Sequence, residues 1–84
     1  MSDETITARI ERLVAEEHAL RTREQTDAAD DDALEADQQR LRDVEIELDQ
    51  CWDLLRQRRA ARDAGGDPDS VRVRDPNTVE RYWQ

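Results

Sequence analysis

The fold is decided by residues 33–64, ALEADQQRLRDVEIELDQCWDLLRQRRAARDA. Leu34, Leu41, Leu48 and Leu55 recur every seven residues, with Val44 and Cys51 between them and Trp52 alongside. A seven-residue apolar repeat free of Gly and Pro is the signature of a long helix with one buried seam. Asp32 followed by Glu35 forms an Asp version of the capping box, which predicts a helix starting at Ala33. Gly65-Gly66 supplies the stop after Ala64. Arg56, Arg58, Arg59 and Arg62 crowd the last turns, where they complement the negative end of the helix dipole.

Upstream, Ile6, Ile10, Leu13, Val14 and Leu20 form one stripe at helical spacing. Nothing interrupts residues 3–26, Ser2 or Asp3 can cap them, and Asp3 and Glu4 suit the first turn. The acidic run from Asp27 to Asp32 then breaks the helix, because Asp competes for backbone donors and like charges repel. The expectation is an all-α antiparallel hairpin with helices at about 3–26 and 33–64, spanning 1–84 as one domain. Its register sets Leu20 near Leu41, Leu13 near Ile46 and Ile6 near Trp52. Residues 65–84 form a docking tail. Val71 and Val73 read as extended there, and Asp75-Pro76 opens a short helix through Val79, Tyr82 and Trp83.

Composition narrows the function. The 84 residues carry 22 acids against 13 bases, for a net charge of -9, and every base is Arg. A high-GC genome produces that bias, and selection for bidentate carboxylate pairing would produce it too. The charge rises from -6 over residues 1–32 and -5 over 33–55 to +2 over 56–84, which suits head-to-tail or antiparallel association of copies. An acidic chain is poorly matched to phosphate, so no nucleic-acid partner is expected. No stretch approaches the roughly 20 apolar residues of a membrane span, and the N-terminus lacks the apolar core of a secretory signal. A single cysteine excludes an internal disulfide. These features point to a cytoplasmic protein without a membrane partner.

Catalysis has no foothold: there is one His, no phosphate loop and no nucleophile–base spacing, so no enzyme and no cofactor is expected. Glu17, with His18 next to it in sequence, falls within the apolar stripe of the first helix, and Glu45 falls within that of the second. Carboxylates and His from facing helices build bundle metal sites, but those use Glu-x-x-His, whereas Glu17 and His18 are adjacent and splay by about 100°. Glu17 is read instead as a register-fixing partner of Arg42 or Arg21. Cys51, flanked by Asp49 and Asp53, reads as a buried small hydrophobe with a raised pKa.

Two helices alone leave apolar surface wet. Ile46 and Leu54 read as a second edge outside the seam, which a homodimeric four-helix bundle would bury. The expected interface comprises Ile46, Leu48, Trp52, Leu54, Leu55, Arg56, Arg59, Tyr82 and Trp83. The alternative is an adaptor that binds an acidic or helical protein through the Arg-rich end. A metal or redox bundle ranks below both.

The run Glu45-Ile46-Glu47-Leu48-Asp49-Gln50-Cys51-Trp52-Asp53-Leu54-Leu55-Arg56-Gln57-Arg58-Arg59-Ala60 resembles the domain of unknown function 2630 family, small and mainly actinobacterial proteins. Ile10 to His18 and Val71-Arg72-Val73-Arg74 to Val79-Glu80 resemble it too. The resemblance implies no activity and carries over no functional residue. It fits a bacterial, cytoplasmic origin.

Overall fold

A computed structural model describes residues 2–26 and 30–77. Two helices dominate them: α1, Asp3–Thr26, and α2, Asp31–Asp63. No β-strand occurs among the described residues. The Ser2 hydroxyl caps α1, accepting from the Thr5 amide at 3.1 Å. α2 starts two residues earlier than the capping-box reading places it. Asp30, in an extended conformation, is the N-cap and accepts from the Ala33 amide at 3.1 Å. Asp31 and Asp32 then occupy the first turn, where their charge meets the positive end of the dipole.

The far end of α2 closes as a Schellman motif. Gly66 N–H donates to the Ala61 carbonyl at 2.7 Å and Gly65 N–H to that of Arg62 at 3.0 Å. Gly65 takes φ of +79°, in the left-handed region. Asp67 then caps a single 3₁₀ turn, Pro68–Ser70, and turns the chain back along α2.

The hairpin register is the one the apolar stripes demand. Ile6, Ile10, Leu13 and Leu20 of α1 pack against Leu41, Val44, Leu48, Cys51 and Leu54 of α2. Leu34 and Leu55 are half-buried at the margins. One expectation is corrected. Leu54 belongs to the chain's own core, because the returning tail sets Val71 against it, so it offers no edge to a partner. Trp52 stands 50% exposed, and Ile46 is half-buried.

The tail docks in cis over residues 68–74. Gln57 Nε2 donates to the Arg72 carbonyl at 3.0 Å and Gln50 Nε2 to that of Arg74 at 3.2 Å. Pro76 and Asn77 start a helical turn, with the Asn77 amide on Asp75 Oδ1 at 2.8 Å, as the Asp-Pro pair predicts. The rest of that short helix, with Val79, Tyr82 and Trp83, lies outside the described residues. The described chain measures 54 × 25 × 16 Å. Two helices side by side form a single layer, so the hairpin itself is a slab with two broad faces.

The left-handed backbone at Gly65 gives a direct test. A Cβ there meets nothing within 4 Å, so Gly65→Ala isolates the backbone cost. Urea unfolding should show a loss of ~1 kcal/mol with an unchanged m-value.

Candidate interaction surface

The two faces of the slab differ, and the ion pairs between helices identify them. On one face Arg40 grips Glu16 with two bonds, Nε to Oε1 at 2.5 Å and Nη2 to Oε2 at 2.9 Å, and lies 3.7 Å from Glu47. That pairing lowers the Glu16 carboxyl and raises Arg40, the hydrogen bond being the main cause for each. Seven residues along each helix bring Arg9 and Glu47 to the same side. Both line a cleft of about 140 Å³ that the tail's Val73 helps to close over Cys51. This is the tail-covered face.

On the other face Arg21 reaches Glu45 at 3.1 Å and Glu17 at 3.9 Å. Glu17 and Glu45 therefore meet through one shared guanidinium, in the layer the register predicts. The partner of Glu17 is Arg21; Arg42 donates instead to Gln39 Oε1 at 2.8 Å. The same seven-residue step takes Arg21 back to Val14 and Glu45 forward to Trp52. Since i and i+7 share a helical face, Val14 and Trp52 stand opposite each other two turns from that ion pair. They are 46% and 50% exposed. Gln50 and Leu54, which carry the tail, lie two residues either side of Trp52, about 200° around the helix. The described part of the tail, residues 68–77, does not cover this face.

The remaining expected interface residues divide by burial. Leu48 is in the core with Leu54, Leu55 is half-buried beside the open face, and Ile46 is half-buried toward the tail side. Arg56 is half-buried and engaged within the chain, while Arg59 is exposed with no ion pair among the described residues. Tyr82 and Trp83 lie outside the described residues.

The Arg-rich end is largely turned inward. Arg58 is 6% exposed, with Nε on Asp3 Oδ1 at 2.6 Å and Nη1 on Asp69 Oδ1 at 2.7 Å and on the Pro68 carbonyl at 3.2 Å. Arg62 takes the other Asp3 oxygen at 2.5 Å. Two guanidiniums on one carboxylate hold Asp3 at a pKa of about 2, through the hydrogen bonds from Arg62 and then Arg58. Two further acids are buried on α2. Asp37 takes Arg23 at 2.6 Å, and Asp53 takes Gln57 at 2.9 Å with Arg74 at 3.5 Å. The sequence reading passed over Asp37 as a buried site and treated Arg58 only as one of a cluster. The heptad itself marks both, since the Val44 and Cys51 positions extend by seven to Asp37 and Arg58.

Cys51 is buried, and desolvation pushes its thiol up. Glu47 adds to the shift and Arg9 opposes it; the flanking Asp49 and Asp53 are not the cause. His18 is exposed, its carbonyl accepting from Thr22 Oγ1 at 3.1 Å. Among the described residues no group of three or more His, Cys, Asp or Glu is placed to hold a metal ion.

The Asp3 cluster makes acid stability readable. A carboxyl lowered from 3.8 to about 2 stabilises the fold fully above pH 4, and that contribution is lost as pH falls through 2. Asp3→Asn should flatten the unfolding-midpoint profile between about pH 4 and 2, and a carboxyl NMR titration should place Asp3 near 2.

Comparison with known proteins adds kinship. No solved structure gives a match. An uncharacterised protein of Mycobacterium tuberculosis and one of Mycobacterium bovis are each 51% identical over 81 residues, covering 96% of this chain and 90% of theirs. No helix among the described residues is long and apolar enough to cross a membrane. The family described as protein of unknown function (DUF2630) matches residues 2–84, and the chain belongs to that family.

Proposed function

We propose that this protein is a non-enzymatic cytoplasmic interaction module that works as a homo-oligomer through the open face of its hairpin. The observation that carries the reading is that Val14 and Trp52, both about half exposed, share the face that residues 68–77 of the tail do not cover. Trp is costly to leave in water and is the residue most enriched where binding energy concentrates. A slab one helix thick gains a second layer when two such faces meet, which gives the four-helix arrangement.

The adaptor reading has less to work with. Arg58 and Arg62 are closed on Asp3 and Asp69, and Arg56 is engaged within the chain. Arg59 and Arg72 are exposed there without an ion pair among the described residues, and Arg62 is exposed but paired. Nucleic acid would meet the field of a chain carrying -9. The absence of catalytic spacing in the sequence supports a non-enzymatic role, and one buried, unpaired cysteine suits a reducing compartment.

Light scattering on a sizing column in reducing buffer should give twice the 9.8 kDa chain mass at micromolar concentration. Trp52→Glu should return the protein to the chain mass with its helical circular dichroism intact, because Trp52 lies outside the chain's own core. Losing such an anchor should raise Kd at least about 30-fold. A wild-type monomer, or a Trp52→Glu protein still at double mass, overturns the reading.

A further inference from the structure

We infer that two copies meet on this face antiparallel, about a two-fold axis through the Val14–Trp52 layer, so that Arg59 of each chain reaches the partner's Glu45. The inference rests on the reading of the open face as a self-association surface and adds its geometry and its charge pairing.

Two closed arrangements bring one face onto its copy. In the first, the axis runs along the helices, and Trp52 meets the partner's Val14. Glu45 then faces the partner's Arg21, a cation that its own chain already pairs. Arg59 faces the partner's Thr7 and gains no counter-charge, and the acidic loop ends stack on each other. In the second, the axis crosses the helices, and each helix lies antiparallel on its copy with Trp52 on the partner's Trp52.

Charge selects the second. Glu45 and Arg59 stand seven residues either side of Trp52, each about 10.5 Å away along α2 on the same helical face. A two-fold at Trp52 therefore places each of them over the other's counterpart, twice per dimer. Glu45 is 47% exposed at its side chain and already holds Arg21 with one oxygen, so the carboxylate has a free side to offer. Arg59 has no ion pair among the described residues.

The same axis carries the acidic end of one hairpin, with Asp30, Asp31, Asp32 and Glu35, toward the end of the other that holds Arg56, Arg58, Arg59 and Arg62. Like charges directly opposed would repel in the first arrangement; here they are spread apart. α1 fits as well, because Val14 lies at the middle of Asp3–Thr26 and the two copies of α1 overlap along their whole length.

Cysteine cross-linking decides the geometry. In a Cys51→Ser background, Glu45→Cys with Arg59→Cys puts two thiols on one helix about 21 Å apart, too far to bridge within a chain. Mild oxidation should therefore give a covalent dimer from the double variant and none from either single variant. As a second measurement that leaves Trp52 and Cys51 in place, Arg59→Glu should raise the dimer Kd about tenfold. Adding Glu45→Arg should bring it back to within about threefold of wild type.

Wild type at double mass with no cross-link and no response to Arg59→Glu overturns the antiparallel geometry and leaves the self-association reading standing. A wild-type monomer overturns both.

Discussion

Arg58 is the constraint on which the rest of the structure depends. Its guanidinium is taken out of water at the end of the apolar seam and recovers that cost only by filling its donor fork. One arm takes Asp3, the first residue of α1; another takes Asp69 and the Pro68 carbonyl in the turn after α2. Three separate stretches of chain are thereby fastened at one point. Buried ionic groups are weak evidence for stability, since desolvation offsets most of the attraction. Their contribution here is to registry: the start of α1 and the reversal of the tail cannot slip relative to α2 without leaving a buried cation unpaired.

That constraint explains why the slab has unlike faces. Once the turn is pinned at Pro68–Ser70, the chain has one short route back, along the Gln57, Asp53 and Gln50 side of α2. Leu54 and Cys51 are covered by that return, and Cys51 becomes a packed thiol with a raised pKa rather than a reactive one. Val14 and Trp52, on the opposite face, receive no such cover from residues 68–77. The asymmetry that the functional reading uses follows from where one arginine is anchored.

The hairpin was legible because its information is periodic. Leu residues every seven places and an uninterrupted 3–26 segment specify two helices, and α1 runs Asp3–Thr26 as the pattern says. The start of α2 was misplaced because Asp30, Asp31 and Asp32 are chemically equivalent as caps, and spacing alone favours the one that completes a capping box. Leu54 reads as an edge residue and lies in the core for a different reason. Its place depends on the face taken by the tail, a long-range choice that the local pattern of α2 does not encode. The ion pairs divide the same way. Glu17 with Arg21 is a local i,i+4 contact open to sequence reading, whereas Glu16 with Arg40 and Asp3 with Arg58 need the folded register.

The way α2 holds the tail has a consequence for how freely this protein can change. Gln50 and Gln57 clasp it by main-chain carbonyls, those of Arg74 and Arg72, not by what hangs from them. A clasp on the backbone is indifferent to side-chain identity. Position 72, whose own side chain is exposed, is accordingly open to substitution while the strap stays in place. The two glutamines have no such latitude: a shorter amide would not reach, and a carboxylate would present an acceptor to an acceptor.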